Sequence, residues 1–425
     1  MKVLILGNGG REHALALKIN ESPQCDKLFV APGNGGTASI AKNISLSGNQ
    51  ELLKFIEREE IKLVVVGPEK YLVDGTVDYL RENDILVFGP NREAANIEGD
   101  KLFAKKIMYD NNVPTAKYFE FSNTSSKEDI YNCLKKQKYP IVIKANGLAA
   151  GKGVTICKSI YDALEAVLLN FEEKAFGDAG SKILIEEFLE GEEASLFVIS
   201  DGEDFVCLPA AQDHKRIGDN DFGKNTGGMG AFAPAEIVTD ALLKVIEDSI
   251  VKPTLYGMKK IGKPFTGCLF CGLMITKDGP KVIEFNARFG DPETQTVLNV
   301  IEGDFLELLY SAAKGKINKE SVKYNGGSSV CVVTASKGYP DSYESGYEIF
   351  GLEHLNDLPI KVYHAGTEKK DGTLRSSGGR VLGVTSHVKD KNFAEAIRVA
   401  YQGVSKIHYE NIYFRTDIGR RALNL

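Results

Sequence analysis

No stretch of this 425-residue chain stays apolar over the ~18 residues that would suggest a membrane span. Its opening, MKVLILGNGG, lacks a basic n-region and a small-residue cleavage site, so a cytoplasmic protein is expected. Excess positive charge is missing too. The 52 Lys and Arg against 58 Asp and Glu leave a formal net charge of -6, which disfavours bulk attraction to nucleic acid or anionic membranes. Any anionic ligand must be held by local charge. A disulfide framework is excluded by number and spacing, because the seven cysteines, at 25, 133, 157, 207, 268, 271 and 331, are odd in count and scattered. Cys268 and Cys271 invite a zinc or redox reading. They lie in TGCLFCGLMIT, however, which reads as a strand whose residues three apart face opposite ways, and no second CxxC completes a metal site. Buried thiols are expected there. Internal repeats and low-complexity tracts are also lacking, and 43% hydrophobic with 26% charged residues over this length fits about three domains with ample core.

What is present is a βαβ pattern over residues 1–100, where KVLILG, KLFVAPG, KLVVVGPE and ILVFGP alternate with helical stretches. It predicts a parallel sheet with ligand groups gathered at the carboxyl ends of its strands. The first turn, Gly7-Asn8-Gly9-Gly10-Arg11-Glu12-His13, resembles a dinucleotide fingerprint, but Glu12 stands where a third small residue belongs. The second strand ends in Ala31-Pro32-Gly33, with no acid for a ribose hydroxyl, which counts against a nicotinamide enzyme. A glycine turn feeding a helix can still cradle phosphate or carboxylate, with Arg11 adding charge. Near residue 100 the text changes to GDKLFAKKIMYDNNVPTAKYFEF, a short amphipathic helix with Lys101 and Lys105 on one face, and a domain boundary is placed there.

In YPIVIKANGLAAGKGVTIC a strand ending at Lys144 enters a glycine-rich loop containing Lys152 and leaves by a second strand. Small residues let backbone amides close over anionic oxygens, and two lysines in one hairpin would repel without an anion between them. The loop is not a P-loop, since Lys152 is followed by Gly153 and strand rather than helix follows. After a helix over 160–174, KILIEEFLEGEEASLFVIS reads as one strand. In it Glu186-Glu187 and Glu192-Glu193 flank Phe188-Leu189, offering apolar walls to an adenine and carboxylates to a ribose. The polar stretch PAAQDHKRIGDNDFGKNTGGMGAFAPA is too long for a connector, and loops of that kind are usually functional.

A helix of about 240–261 then precedes two strands. In the second, KVIEFNARFGDPETQT, alternation places Glu284, Asn286 and Arg288 on one face and Ile283, Phe285 and Ala287 on the other. A carboxylate and a carboxamide oxygen one pleat apart suit Mg²⁺, a hard cation usually shared with substrate phosphates. The turn Gly290-Asp291-Pro292-Glu293-Thr294 starts a helix whose N-terminus favours an anion. From about 325, SSVCVVTAS, IKVYHAGTEK, GGRVLGVTS and the helix NFAEAIRVAYQGVSKI suggest a smaller α+β domain, in which residues 374–380 join Arg375 and Arg380 in one turn.

Phosphate-gripping lysines, a covering glycine loop, acids near a nucleotide and a Glu/Asn metal pair occur in one order between 100 and 295, without HRD or DFG triplets. That constellation resembles the ATP-grasp enzymes. Over essentially the whole length, GNGGREHA, APGNGGT, GLAAGKGV, EEFLEGEEAS, QDHKR, NTGGMG, VIEFNARFGDPETQ, HAGT, GGRVL and DIG resemble the glycinamide ribonucleotide synthetase family within them. The resemblance implies an α/β and α+β multidomain fold: a Rossmann-like domain over 1–100, an ATP-grasp domain over 101–324 with a lid at about 115–190, and an α+β domain over 325–425. It implies ATP as co-substrate, bound through Lys105, Lys144, the loop Gly147, Gly151, Lys152 and Gly153, the hinge Glu186, Glu187, Phe188 and Leu189, and Glu193 at the ribose. Mg²⁺ or Mn²⁺ would sit on Glu284 and Asn286, and Arg288, Asp213 and Lys215 would be catalytic. His214, Asp291, Pro292, Glu293 and Thr294 would meet substrate, while Gly9, Gly10, Arg11, Glu69 and Arg380 would hold the phosphate of 5-phosphoribosylamine. The implied partners are ATP, glycine and 5-phosphoribosylamine, with no nucleic acid and no membrane, for a monofunctional bacterial-type monomer or weak homo-oligomer. Asn146 departs from the family, which more often has Asp there. Rival readings are another ATP-grasp carboxylate–amine ligase or carboxylase, a nicotinamide-dependent oxidoreductase, and a nucleotide-sensing module without turnover.

Overall fold

The computed structural model describes residues 1–149 and 153–423; the expectations for Gly151 and Lys152 lie outside the described residues. The βαβ pattern forms a five-stranded parallel sheet, in which Lys2–Gly7 lies between Lys27–Pro32 and Leu63–Val66, with Lys42–Asn43 and Val87–Phe88 at the edges. Alternate residues enter different cores, Leu4, Leu6, Phe29 and Val64 one, Val3, Ile5, Val30 and Val65 the other. Both faces are therefore covered, as a parallel sheet requires.

A second, antiparallel sheet orders Phe205–Cys207, Glu192–Asp201, Thr266–Thr276 and Gly279–Asn286. It shares both cores with the first: Cys271 and Leu196 join the cluster of Leu4, while Cys268 and Phe197 join that of Val3. The two thiols thus face opposite ways, buried and unpaired. One expectation on this sheet is corrected. The register slips between Gly272 and Leu273, opposite Ile283, so Val282 and Phe285 are buried while Ile283 is only half-buried and does not share the face of Phe285 and Ala287. An inserted residue of this kind shifts the alternation without leaving a sequence mark.

The segment expected as a lid forms a third sheet, Tyr118–Ser122, Lys182–Glu187, Ile141–Ala145 and Val154–Cys157, with the helices Lys127–Lys135 and Ile160–Phe171 and a core of its own around Leu134, Ile143, Ala163 and Ile185. The stretch expected as one strand is therefore two, Lys182–Glu187 in the third sheet and Glu192–Asp201 in the second. Gly191 lies at the crossing, where a Cβ would come within 2.2 Å of the Ile275 carbonyl oxygen. The fourth sheet also draws on residues before 325. Ser329–Ser336, Arg380–Ser386 and Ile360–His364 are joined by Gln212–Asp213 and Gly230–Ala233 from the polar stretch, so that stretch is built into the last sheet. Among the described residues no helix is long and apolar enough to cross a membrane.

Candidate active site

The helix Lys101–Asp110 begins at Asp100, whose carboxylate accepts the Phe103 N–H, and helical spacing stacks Lys105 one turn beyond Lys101. Lys105 Nζ lies 3.2 Å from Glu186 Oε1, and Lys144 Nζ lies 2.9 Å from Glu186 Oε2. These groups are 2%, 4% and 4% exposed for Lys105, Lys144 and Glu186, so two lysines from separate elements converge on one buried acid. Lys105 also donates to Thr115 Oγ1 and to the Ala116 carbonyl, and Lys144 to the Ile283 carbonyl at 3.0 Å. The Glu186 carboxylate, expected at the adenine, is committed to the lysines. The rest of the hinge is open, with Phe188 exposed, Leu189 half-buried, and Glu187 accepting the Lys117 N–H at 3.0 Å.

Beside this pair the face of Gly279–Asn286 carries the metal candidates. Burial works against the charge of Glu284, but Lys215, Lys144, Lys101 and Arg288 outweigh it and hold the carboxyl below its ordinary range. Lys215 Nζ is 2.6 Å from Glu193 Oε2, and Glu193, Asp213 and Glu284 together overcome burial to raise the lysine well above its usual value. Glu193 is correspondingly lowered, chiefly by Lys215. Asp213 is raised by burial, and Glu293 is pushed up to about 7 by burial and then by the Asp213 charge. His214 is separated from this group. Its ring packs 6.2 Å from Phe232 among Arg421, Arg415 and Asp417, and burial lowers it to about 3. Alternation along the strand sends it to the opposite face from Asp213 and Lys215. Among the described residues no cluster of three or more His, Cys, Asp or Glu could hold a metal by itself.

Against the segment that follows the strand Gly279–Asn286 lies the first glycine turn, with the Arg11 N–H on Asp291. Glu12 folds back over the start of the helix there, taking the Gly9 N–H at 2.6 Å and the Arg11 Nε at 2.6 Å. Gly67 leaves it room, since a Cβ there would meet Glu12 Oε1 at 2.2 Å. Arg11 is thus turned inward, with Nη1 on the Phe289 carbonyl at 2.8 Å, and Gly10 is buried against Gln295. Thr294 spends its hydroxyl on the Gly290 carbonyl, and the helix after Pro292, Glu293–Val297, has five buried residues, too few for a strong N-terminal field. What faces solvent is a cleft of about 470 Å³ bounded by Asn8, Gly9, Asn34, Asp291, residues 365–368 and Arg380. Arg380 Nη1 donates to the carbonyls of Asp291, at 2.6 Å, and Gly227, at 2.8 Å, which ties three segments together at the rim. Glu69 is found beside Arg288, Oε2 to Nε 3.4 Å. Asn34 escaped notice in the sequence, yet its Nδ2 donates to the Asn8 and His364 carbonyls at 2.8 and 2.7 Å. APGNGGT and HAGT stood out as motifs without a role, and this junction supplies one.

Three family descriptions match in order. The phosphoribosylglycinamide synthetase N domain covers residues 1–98, its ATP-grasp (A) domain 99–294 and its C domain 329–421. The chain belongs to the phosphoribosylglycinamide synthetase family. A phosphoribosylamine–glycine ligase of Brucella melitensis is 46% identical over 100% of this chain and 98% of its own. The crystal structure of the Thermotoga maritima phosphoribosylamine–glycine ligase superposes with a TM-score of 0.85 at 35% identity, covering 98% of this chain and all 100% of that one. A biotin carboxylase from Campylobacter jejuni, solved as a β,γ-ATP complex, reaches a TM-score of 0.76 over 100% and 95% of the two chains at 16% identity, a likeness of fold alone. Membership of this ATP-grasp family sets aside the nicotinamide reading, to which Glu12 was already an obstacle.

Proposed function

We propose that the chain ligates glycine to 5-phosphoribosylamine at the expense of ATP, through glycyl phosphate, to give glycinamide ribonucleotide, ADP and phosphate in purine biosynthesis. The observation that carries this reading is the convergence of Lys105 and Lys144 on Glu186 beside Glu284, Asn286 and Arg288, in a chain matched by this family over residues 1–294 and 329–421. A carboxylate resists amine attack because its charge repels the nucleophile and oxide leaves poorly. Transfer of the γ-phosphoryl group to the glycine carboxylate removes both obstacles. Lys105, Lys144 and Arg288 would set positive charge against the oxygens of that group in the transition state. The amine of phosphoribosylamine then attacks the glycyl carbonyl and expels phosphate. It gives up a proton as the amide forms, and Glu293, pushed up to about 7, is matched to accept it near neutral pH.

Glu284 and Asn286 offer an ionised carboxylate and a carboxamide oxygen, a donor set that fits Mg²⁺ or Mn²⁺. The four cations around Glu284 would repel a bare dication, so the fit is to a metal arriving on nucleotide phosphates. When bound, such an ion supplies charge neutralisation at the phosphates. Glu193 would hold the ribose of ATP, Asp213 and Lys215 would orient glycine, and the cleft by Gly9, Asn34 and Arg380 would take the ribose phosphate of the amine. This reading makes the chain a cytoplasmic enzyme of small molecules, working as a monomer or weak homo-oligomer.

ADP release should require Mg-ATP, glycine and freshly made phosphoribosylamine together, and ¹⁸O placed in the glycine carboxylate should appear in the released phosphate. A full rate without glycine, or phosphate free of label, would refute the proposal.

A further inference from the structure

The guanidinium of Arg288 sits between two carboxylates supplied by the first hundred residues. Glu98, near the end of the helix Arg92–Gly99, places Oε1 3.1 Å from Nη2, and Glu69 Oε2 lies 3.4 Å from Nε. Glu98 is 7% exposed, and its second oxygen accepts the Ala287 N–H at 2.8 Å. One carboxylate therefore holds both the guanidinium and the main chain immediately before it. Asn286 Oδ1 accepts from the same Nη2 at 3.2 Å, and the Phe289 carbonyl from Nη1 at 3.3 Å. Nη2 is thus held by Glu98 and Asn286 and Nη1 by the Phe289 carbonyl, while Nε is buried beside Glu69, which leaves one N–H of Nη1 for an incoming oxygen. A buried carboxylate is costly unless paired and hydrogen-bonded, and burial raises the Glu98 carboxyl above its ordinary range against the pull of Arg288 and the Ala287 N–H.

We propose that Glu98 is a positioning residue for Arg288, locking the guanidinium so that its remaining Nη1 donor is preset for the phosphoryl group in transfer. The inference rests on the role given to Arg288 in the ligation above. Glu98→Gln keeps the side-chain volume and an oxygen for the Ala287 N–H while removing the charge, so folding is expected to survive, as thermal unfolding would verify. Its kcat should fall on the order of 10-fold with the KM for ATP held within about twofold, the pattern of an interaction made in the transition state. In the Arg288→Ala background the same change should cost no further activity, because nothing remains to be positioned. Glu98→Asp, with the charge retained on a shorter arm, should keep more kcat than Glu98→Gln. Wild-type kcat in Glu98→Gln, losses that multiply in the double variant, or Glu98→Gln outperforming Glu98→Asp would each overturn the inference and leave the Arg288 role standing. Full kcat in Arg288→Ala alone would overturn both.

Discussion

Glu284 is an acid set among bases, and its neighbours decide how its loss should read out. Glu284→Gln removes the only formal negative charge of the proposed metal pair while Lys215, Lys144, Lys101 and Arg288 remain. Changing even the partners of metal ligands typically costs 10- to 100-fold in affinity or activity, so losing the ligand charge should raise the metal concentration for half-maximal rate by about tenfold or more. Metal-free ATP should bind the variant at least as well as wild type, because the surplus positive charge is no longer offset. Titrating Mg²⁺ against rate, and ATP against binding in a chelator, separates the two effects; an unchanged metal requirement would dismiss Glu284 as a ligand. Residues like this one were legible because their neighbours in sequence share one strand face. Glu98, Asn34 and His13 were not. Each is a lone polar residue in a helix or turn, and their partners lie 189, 330 and 351 positions away at Ala287, His364 and His364.

The N-terminus of the helix Lys101–Asp110 shows what a single element asks of its surroundings. Its first donors would be orphans, yet the Asn146 carbonyl takes the Lys101 N–H at 3.1 Å, Asn146 Oδ1 the Leu102 N–H at 2.8 Å, and Asp100 the Phe103 N–H at 3.0 Å. Lys101 Nζ completes the clamp on the Gly147 carbonyl at 3.0 Å. Asn146 is thus the anchor between the lysine helix and the glycine loop. Asn146→Ala should cost about 1 kcal/mol of stability by stranding the Leu102 donor, whereas Asn146→Asp should match or exceed wild type, since a negative charge there faces both the helix N-terminus and Lys101. Urea unfolding of the three proteins gives the order directly, and an Asp variant weaker than the Ala variant would contradict it. Elements of this kind were readable from the sequence wherever a local rule governed them: period two for the sheets, glycine for the loop, helical spacing for the paired lysines. The slip at Ile283 and the division of residues 182–201 between two sheets obey no local rule, because each depends on which strand lies alongside.

At the scale of the molecule, a chain divisible on paper into successive domains turns out to exchange parts. The first two sheets share both cores, and the last sheet takes two strands from residues 212–233. Composition cannot show such sharing, since buried residues look alike whichever sheet they serve. The first and last parts are also bolted together beside the substrate cleft. His13 Nδ1 accepts the His364 N–H at 2.8 Å, which requires a neutral ring, and His364 Nδ1 contacts Thr367 Oγ1 at 3.1 Å. Burial lowers His13 to about 3, with the His364 charge adding to the effect, and burial lowers His364 to about 4. Both stand below the ordinary histidine value of about 6.5, so the unfolded chain binds protons that the folded one refuses. Their contribution is intact above about pH 6.5 and is lost as pH falls toward 4 and then 3, at about 1.4 kcal/mol per pH unit for each ring. Glu293 acts with the opposite sign, because a carboxyl raised to about 7 favours the folded state as pH falls, so the total slope of wild type is a mixture. A difference experiment isolates the clamp. His13→Asn keeps an oxygen able to accept the His364 N–H but cannot titrate, and Glu293 cancels between the two proteins. From urea unfolding at pH 6.5 down to 4.5, the stability of wild type should fall more steeply than that of the variant by about 1.4 kcal/mol per pH unit. Parallel curves would mean that His13 takes up its proton in the folded protein as readily as in the unfolded chain, and that the junction between the first and last sheets does not depend on its neutral ring.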